Sequence, residues 1–131
     1  MEEKIQNSSL YGRFGKKERF FIMLRKTGNP EFFVSPVDGY RLDDPDWPCF
    51  VCYIPYSGWE ICELKTGLMV SVYYYDTRKE AVKDFPRCVA LLRKHSENQH
   101  FIAGYNRNVE LFEIAMNTYR KMEEMSNGET T

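Results

Sequence analysis

The chain lacks any long apolar run: its 131 residues contain nothing near the about 18 consecutive apolar side chains of a membrane span. The opening MEEKIQNSSL also lacks the basic region and apolar core of a secretory leader. Together these predict a cytoplasmic protein with no membrane partner. Histidine is scarce. The two present, His95 and His100, lack the i, i+3 or i, i+4 spacing by which helical histidines share a metal. No serine sits in a G-x-S-x-G elbow, and no glycine-rich loop ends in Gly-Lys-Ser/Thr, so the common signatures of acyl and phosphoryl transfer are missing. A one-sided charge is missing too. The net charge of -1 argues against a general polyanion binder, which would carry a basic excess over its whole surface.

What is present is a single-domain composition, 43% apolar and 28% charged, with an aromatic share of 15% that will dominate any core. Charge is unevenly spread. Residues 1–30 carry seven cations against three acids, residues 31–76 two against eight, and residues 77–131 nine against eight. An acidic middle lies between more basic flanks. The polar ends, 1–9 and 126–131, have no apolar periodicity to anchor them and read as flexible tails around one domain over residues 10–125.

ERFFIMLRK alternates Phe20, Ile22 and Leu24 with Phe21, Met23 and Arg25, which predicts a buried strand. TGNPEFFVSPVDGYRL predicts a second strand, with room for a third if Asp38-Gly39 turns the chain. DDPDWP reads as a loop and FVCYIP as a short strand. GWEICELKTGLMVSVYYYD predicts a hairpin turning at Gly67, with Trp59, Ile61 and Glu63 on one face of its first arm. Then the apolar spacing changes. Thr77 and Glu80 form a capping box, and Ala81, Val82, Phe85, Cys88, Val89 and Leu92 make one helical stripe through Pro86, so one helix with a kink is expected. Residues 96–107 have no clear periodicity, and a last helix is expected from about Asn108. The expected fold is α+β: an antiparallel, meander-like sheet of about five strands followed by two C-terminal helices packed on one face.

Three constellations invite chemistry. WPCFVC contains a C-x-x-C pair, Cys49 and Cys52, but in a strand residues three apart point to opposite faces and cannot share a metal or act as a dithiol. Cys62 and Cys88 do not supply a second C-x-x-C. Four structural thiols and no metal or other cofactor are the expectation. Asp43, Asp44 and Asp46 offer an acidic surface, although Pro45 interrupts any calcium-loop spacing. LYGRFGKKERFF is the most suggestive stretch: Arg13, Lys16, Lys17 and Arg19 can neutralise phosphates while Tyr11 and Phe14 stack on bases. The same cations also serve to protect a strand edge from aggregation.

The unit WEICELKTGLMVSVYYYDTRKEAVKDF, a hairpin feeding a capped helix, resembles small α+β proteins of phages and mobile elements. That resemblance implies a compact host-interaction protein, including the inhibitors of bacterial defence systems. The expected function is therefore binding or inhibition of a host macromolecule, with a host protein as partner and little to suggest an enzyme. Two alternatives remain open: sequestration of a nucleotide signal or binding of nucleic acid through the basic aromatic segment, and an enzyme with an unrecognised site. A homo-oligomer is compatible with each.

Overall fold

The computed structural model describes residues 16–25 and 32–129. Four strands, β1 (Glu18–Arg25), β2 (Phe32–Leu42), β3 (Cys49–Ile54) and β4 (Gly58–Glu63), form one antiparallel meander in chain order. Two helices follow, α1 (Arg78–His95) and α2 (Gln99–Glu129). The α+β class and the two C-terminal helices are as expected; the strand count among the described residues is four rather than about five.

The missing strand has a physical cause. Met69 bridges Cys62 and Tyr75 bridges Trp59, so the chain returning beside β4 advances six residues while β4 advances three. Three extra residues cannot stay in a ladder. Val72, Tyr73 and Tyr74 bulge out into solvent, and the Ser71 hydroxyl accepts from the Ile61 amide at 3.2 Å where a backbone carbonyl would have stood.

Nor does the chain turn at Asp38-Gly39; β2 runs through it as one strand of 11 residues. β1 pairs with β2 as far as Glu18 opposite Gly39, and β3 pairs with it only from Cys52 opposite Gly39 onward. Among the described residues Gly39 is thus the one residue of β2 paired on both sides. It has no side chain for a steric reason: a Cβ there would stand 2.6 Å from the Val51 carbonyl oxygen and 3.3 Å from the Phe20 ring. In the space it leaves, Phe20 and Phe50 stack with centroids 4.5 Å apart and rings parallel to 1°.

This offset buries β3 on both faces. Val51 and Cys49 pack with Ile61 against Ala81, Phe85, Cys88 and Val89 of α1, whereas Phe50 and Cys52 pack with Phe20, Ile22 and Cys62 in a second cluster. By register Phe21, Tyr40, Val51 and Ile61 share a face, and both helices cover it, α1 over β3 and β4, α2 over β2. The second cluster is sealed by curvature instead. The turn after β4 reaches the free edge of β1, where the Met23 amide donates to the Gly67 carbonyl at 3.0 Å. Gly67 has φ 65° and lies 2.6 Å, measured from an added Cβ, from the Phe21 carbonyl oxygen, so both conformation and space call for glycine.

α1 opens as its capping box requires, with the Glu80 amide donating to Thr77 Oγ1 at 3.1 Å. It continues through Pro86, which is exposed. The Tyr75 hydroxyl donates to Asp84, which also accepts from Arg87 at 2.6 and 2.8 Å; this pins the bulged segment to α1. The Arg87 hydrogen bonds hold the Asp84 carboxyl below its ordinary range. α2 begins nine residues before the expected Asn108, because Asn98 caps it: Asn98 Oδ1 accepts from the His100 amide at 2.8 Å. The helix then runs to Glu129, into the stretch expected to be a tail. No helix among the described residues is long and apolar enough to cross a membrane.

Two glycines should respond oppositely to alanine. Gly39→Ala forces a methyl against backbone and should lose about 1–3 kcal/mol. Gly104, in α2, has nothing within 4 Å of an added Cβ, so Gly104→Ala should gain about 0.5–1 kcal/mol from helix propensity. Denaturant unfolding of both variants checks the register at β2 and the early start of α2 together.

Candidate ligand-binding cleft

Loop 43–48, between β2 and β3, is held by one carboxylate. Asp44 Oδ2 accepts from the amides of Asp46 and Trp47, both at 3.0 Å, and Asp44 accepts from Arg93 of α1 at 3.0 Å. Asp46 lies 3.5 Å from the same guanidinium. The carboxylates of Asp44 and Asp46 are therefore engaged by α1, and Asp43 is half-buried beside them. Their work inside the fold is to place Trp47, which is buried edge-on against Phe101 and Tyr105 of α2 at 6.3 and 5.0 Å.

Trp47 forms one wall of a cleft of about 460 Å³. Leu91 and Leu92 of α1 form a second wall, Phe101, Gly104 and Tyr105 of α2 a third, and the segment from Thr66 to Val72 the floor and front. His95 and His100 stand exposed at the rim, with His95 stacked on Phe101 at 5.5 Å. The cleft exists because α1 and α2 are joined by only three residues, Ser96, Glu97 and Asn98, and diverge over different strands.

The one acidic group in this apolar lining is Glu63. It ends β4, on the face with Ile61, and is 2% exposed. Its Oε2 accepts from the Lys65 amide at 2.8 Å, and Gly67 donates to its carbonyl at 2.8 Å, so the turn holds the side chain still. Oε1 is buried and has no hydrogen-bond partner among the described residues. Burial, then the charge of Glu63 and a hydrogen-bonding contact with its side chain, push the Tyr105 hydroxyl above its ordinary range. Tyr105 is thus the group of the cleft that stands against Glu63, although no hydrogen bond of normal geometry reaches Oε1 among the described residues. A buried, unmatched carboxylate oxygen loses more in desolvation than an ordinary hydrogen bond returns. It is the feature most in need of a partner.

Of the basic aromatic segment, Tyr11, Arg13 and Phe14 lie outside the described residues. Lys16 and Lys17 are exposed. Arg19 is engaged, donating to the Tyr119 hydroxyl at 2.7 Å and lying 3.8 Å from Glu123. Among the described residues the structure does not bring these cations to the cleft. The cysteines are all buried thiols, and Cys49 and Cys52 lie in different clusters on opposite faces of β3, as strand geometry requires. Cys49 donates to the Trp47 carbonyl at 3.2 Å, and burial pushes its thiol well up.

Glu63 escaped the sequence reading as a site residue, although its signal was present: an acid on the same strand face as Trp59 and Ile61. The aromatic wall of α2 was hidden because Gly104 and the asparagines around it obscure the spacing of Phe101, Tyr105 and Phe112. No family model matches the chain, and neither a curated protein nor a solved structure matches it.

Asp44→Ala should lower stability by about 1.5–3 kcal/mol, the range for hydrogen bonds to a charged group, and should red-shift Trp47 fluorescence as the wall loosens. Asp43→Ala should change either reading little, which separates the stapling carboxylate from a merely acidic surface.

Proposed function

We propose that the protein binds a small organic cation, an ammonium, amidinium or guanidinium on an aromatic or alkyl body, in the cleft between α1 and α2. The observation that carries this reading is Glu63, which lines a cleft of about 460 Å³ and whose buried Oε1 has no hydrogen bond of normal geometry among the described residues. A ligand reaches that oxygen by displacing the Tyr105 side chain that stands against it. An N–H donor on the ligand completes that oxygen with a charge-assisted hydrogen bond. The rings of Trp47, Phe101 and Tyr105 supply apolar contact and favour a cation over a neutral body. A single water fills only a small part of such a volume, whereas a concave apolar cleft with one fixed polar anchor suits a small molecule. The role in this reading is capture or sensing; Cys49, which pairs across the ladder with Glu63, is a buried thiol pushed well up by its burial and so poorly suited to act as a nucleophile.

A second reading keeps a host protein as partner, with inhibition as the outcome. It is favoured by exposed aromatics gathered around the β3–β4 turn. Tyr56 is fully exposed there, Tyr53 packs edge-on to Trp59 at 5.6 Å, and Tyr74 lies against Gly58 beside exposed Tyr73. Tyrosines of this kind are enriched in interfaces. The phage or mobile-element origin implied by the hairpin belongs to this reading.

Calorimetry and thermal shift with benzamidine, phenethylamine and agmatine, each against an uncharged analogue, test the first reading. At least one cation should bind while its neutral counterpart does not. Glu63→Gln should raise the stability of the free protein and weaken that cation about 10–100-fold, the equivalent of one charge-assisted hydrogen bond. Unchanged affinity in Glu63→Gln would reject the anchor. For the second reading, Tyr73→Ser with Tyr74→Ser should abolish retention of a partner from host lysate while leaving cation binding intact; retention by the double variant sinks it.

A further inference from the structure

A second buried carboxylate lies on the opposite face of β4. Glu60 is 7% exposed and stands directly opposite Cys52 of β3, with Cys62 two residues further along the same face. The two sulfurs and a carboxylate oxygen all lie within 4.8 Å of one another. From this juxtaposition we propose that Cys52, Cys62 and Glu60 form a zinc site inside the curled sheet, two thiolates and one carboxylate with the fourth position left to water.

The donor set and its spacing both fit. Zinc takes sulfur at about 2.3 Å and carboxylate oxygen at about 2.0–2.2 Å in tetrahedral array, which places ligand atoms about 3.3–3.8 Å apart. Drawing the three atoms in from within 4.8 Å is a matter of small side-chain rotations. The strands already hold the backbone, since the β3–β4 pairing runs unbroken from Cys49 opposite Glu63 to Ile54 opposite Gly58. Hard-cation alternatives fit poorly, because magnesium and calcium avoid sulfur.

The surroundings favour a cation as well. Glu60 shares its face with Phe20, Ile22 and Phe50, and no lysine, arginine or histidine among the described residues pairs with it. A buried carboxyl in that position is ordinarily paired, bound to metal or protonated, and two thiols beside it make metal the partner that uses all three groups. A disulfide between Cys52 and Cys62 competes less well. They are diagonal neighbours on antiparallel strands, a relation that sets Cα atoms about 7–8 Å apart, beyond the reach of an unstrained bridge. A metal ion spans that diagonal with its own two bonds. The C-x-x-C of Cys49 and Cys52 therefore directs attention to the wrong pair: the second ligand of Cys52 comes from across the hairpin.

The test uses the full chain, stripped with chelator under reducing conditions and titrated with Co2+ and then Zn2+. Co2+ should give a 1:1 complex with sulfur-to-metal charge-transfer absorption and tetrahedral visible bands, displaced by Zn2+, and Zn2+ should raise the melting temperature. Glu60→Gln, nearly isosteric, should remain folded and bind Co2+ more than about tenfold weaker, since loss of a direct ligand exceeds the loss of a group that only hydrogen-bonds to one. Cys62→Ser should lose the charge-transfer intensity of one thiolate. Cys88→Ser, whose sulfur lies in the other cluster, should bind as the parent does. A folded parent that shows no thiolate absorption with Co2+, or Glu60→Gln binding unchanged, overturns the site. So does a mass 2 Da below the reduced chain with Cys52 and Cys62 linked.

Discussion

The stack of Phe20 on Phe50 across Gly39 is the constraint from which the rest of the architecture follows. Two aromatic rings on strands that are not neighbours can touch only if the strand between them carries no side chain at the crossing point. Gly39 meets that condition, and among the described residues it is where β1 and β3 both pair with β2. The sheet is consequently offset and curled rather than flat. β1 and β3 occupy different halves of β2, the turn after β4 comes round to the outer edge of β1, and β3 is buried on both faces. A flat meander of the same strands would have left Phe50, Cys52 and Cys62 in water.

Burial on both faces explains why polar groups of one short strand have such different surroundings. β4 reads GWEICE, and its two acids, like the two cysteines of β3, are three residues apart. Strand periodicity sends each pair to opposite sides. Glu63 and Cys49 face the helices, and Glu60 and Cys52 face the inner cluster. Among the described residues neither acid has a cationic side chain to neutralise it, and burying either as a carboxylate costs free energy that an apolar side chain would not. Sequences keep groups of this kind where a ligand or ion repays the cost. Two such groups in six residues put both proposed sites on β4.

Much of the fold was legible in the sequence for local reasons. The alternation in β1, the capping box at Thr77 and Glu80 and the stripe through Pro86 are short-range patterns, and each element formed where its pattern lay. What failed was long-range. The bulge of Val72 to Tyr74 alternates as well as any strand does, and only the bridges to β4 reveal its three surplus residues. Asp38-Gly39 has turn chemistry, but it is used for close approach to β3. The start of α2 was obscured because the side chain of Asn98 does the capping while Gly104 interrupts the apolar spacing. The sites lay beyond reach for the same reason. Cys52, Glu60 and Cys62 become neighbours only once the β3–β4 register is known, and the orphaned oxygen of Glu63 appears only when α2 closes over it.

Since Glu60 and Glu63 are borne on one strand, the two sites share a mechanical frame. Glu63 is held by the turn at Lys65 to Gly67, and that turn is anchored on β1 by the Met23 amide. Cys62 lies between the two acids, paired across the ladder with Phe50 and bridged on its other side to Met69. An ion gripping Cys62 would therefore stiffen the strand end from which Glu63 projects into the cleft. Preorganisation of that kind favours binding by reducing what must be ordered when the ligand arrives. The inner cluster is then more than packing beneath the sheet: it sets how firmly the carboxylate is presented on the other face.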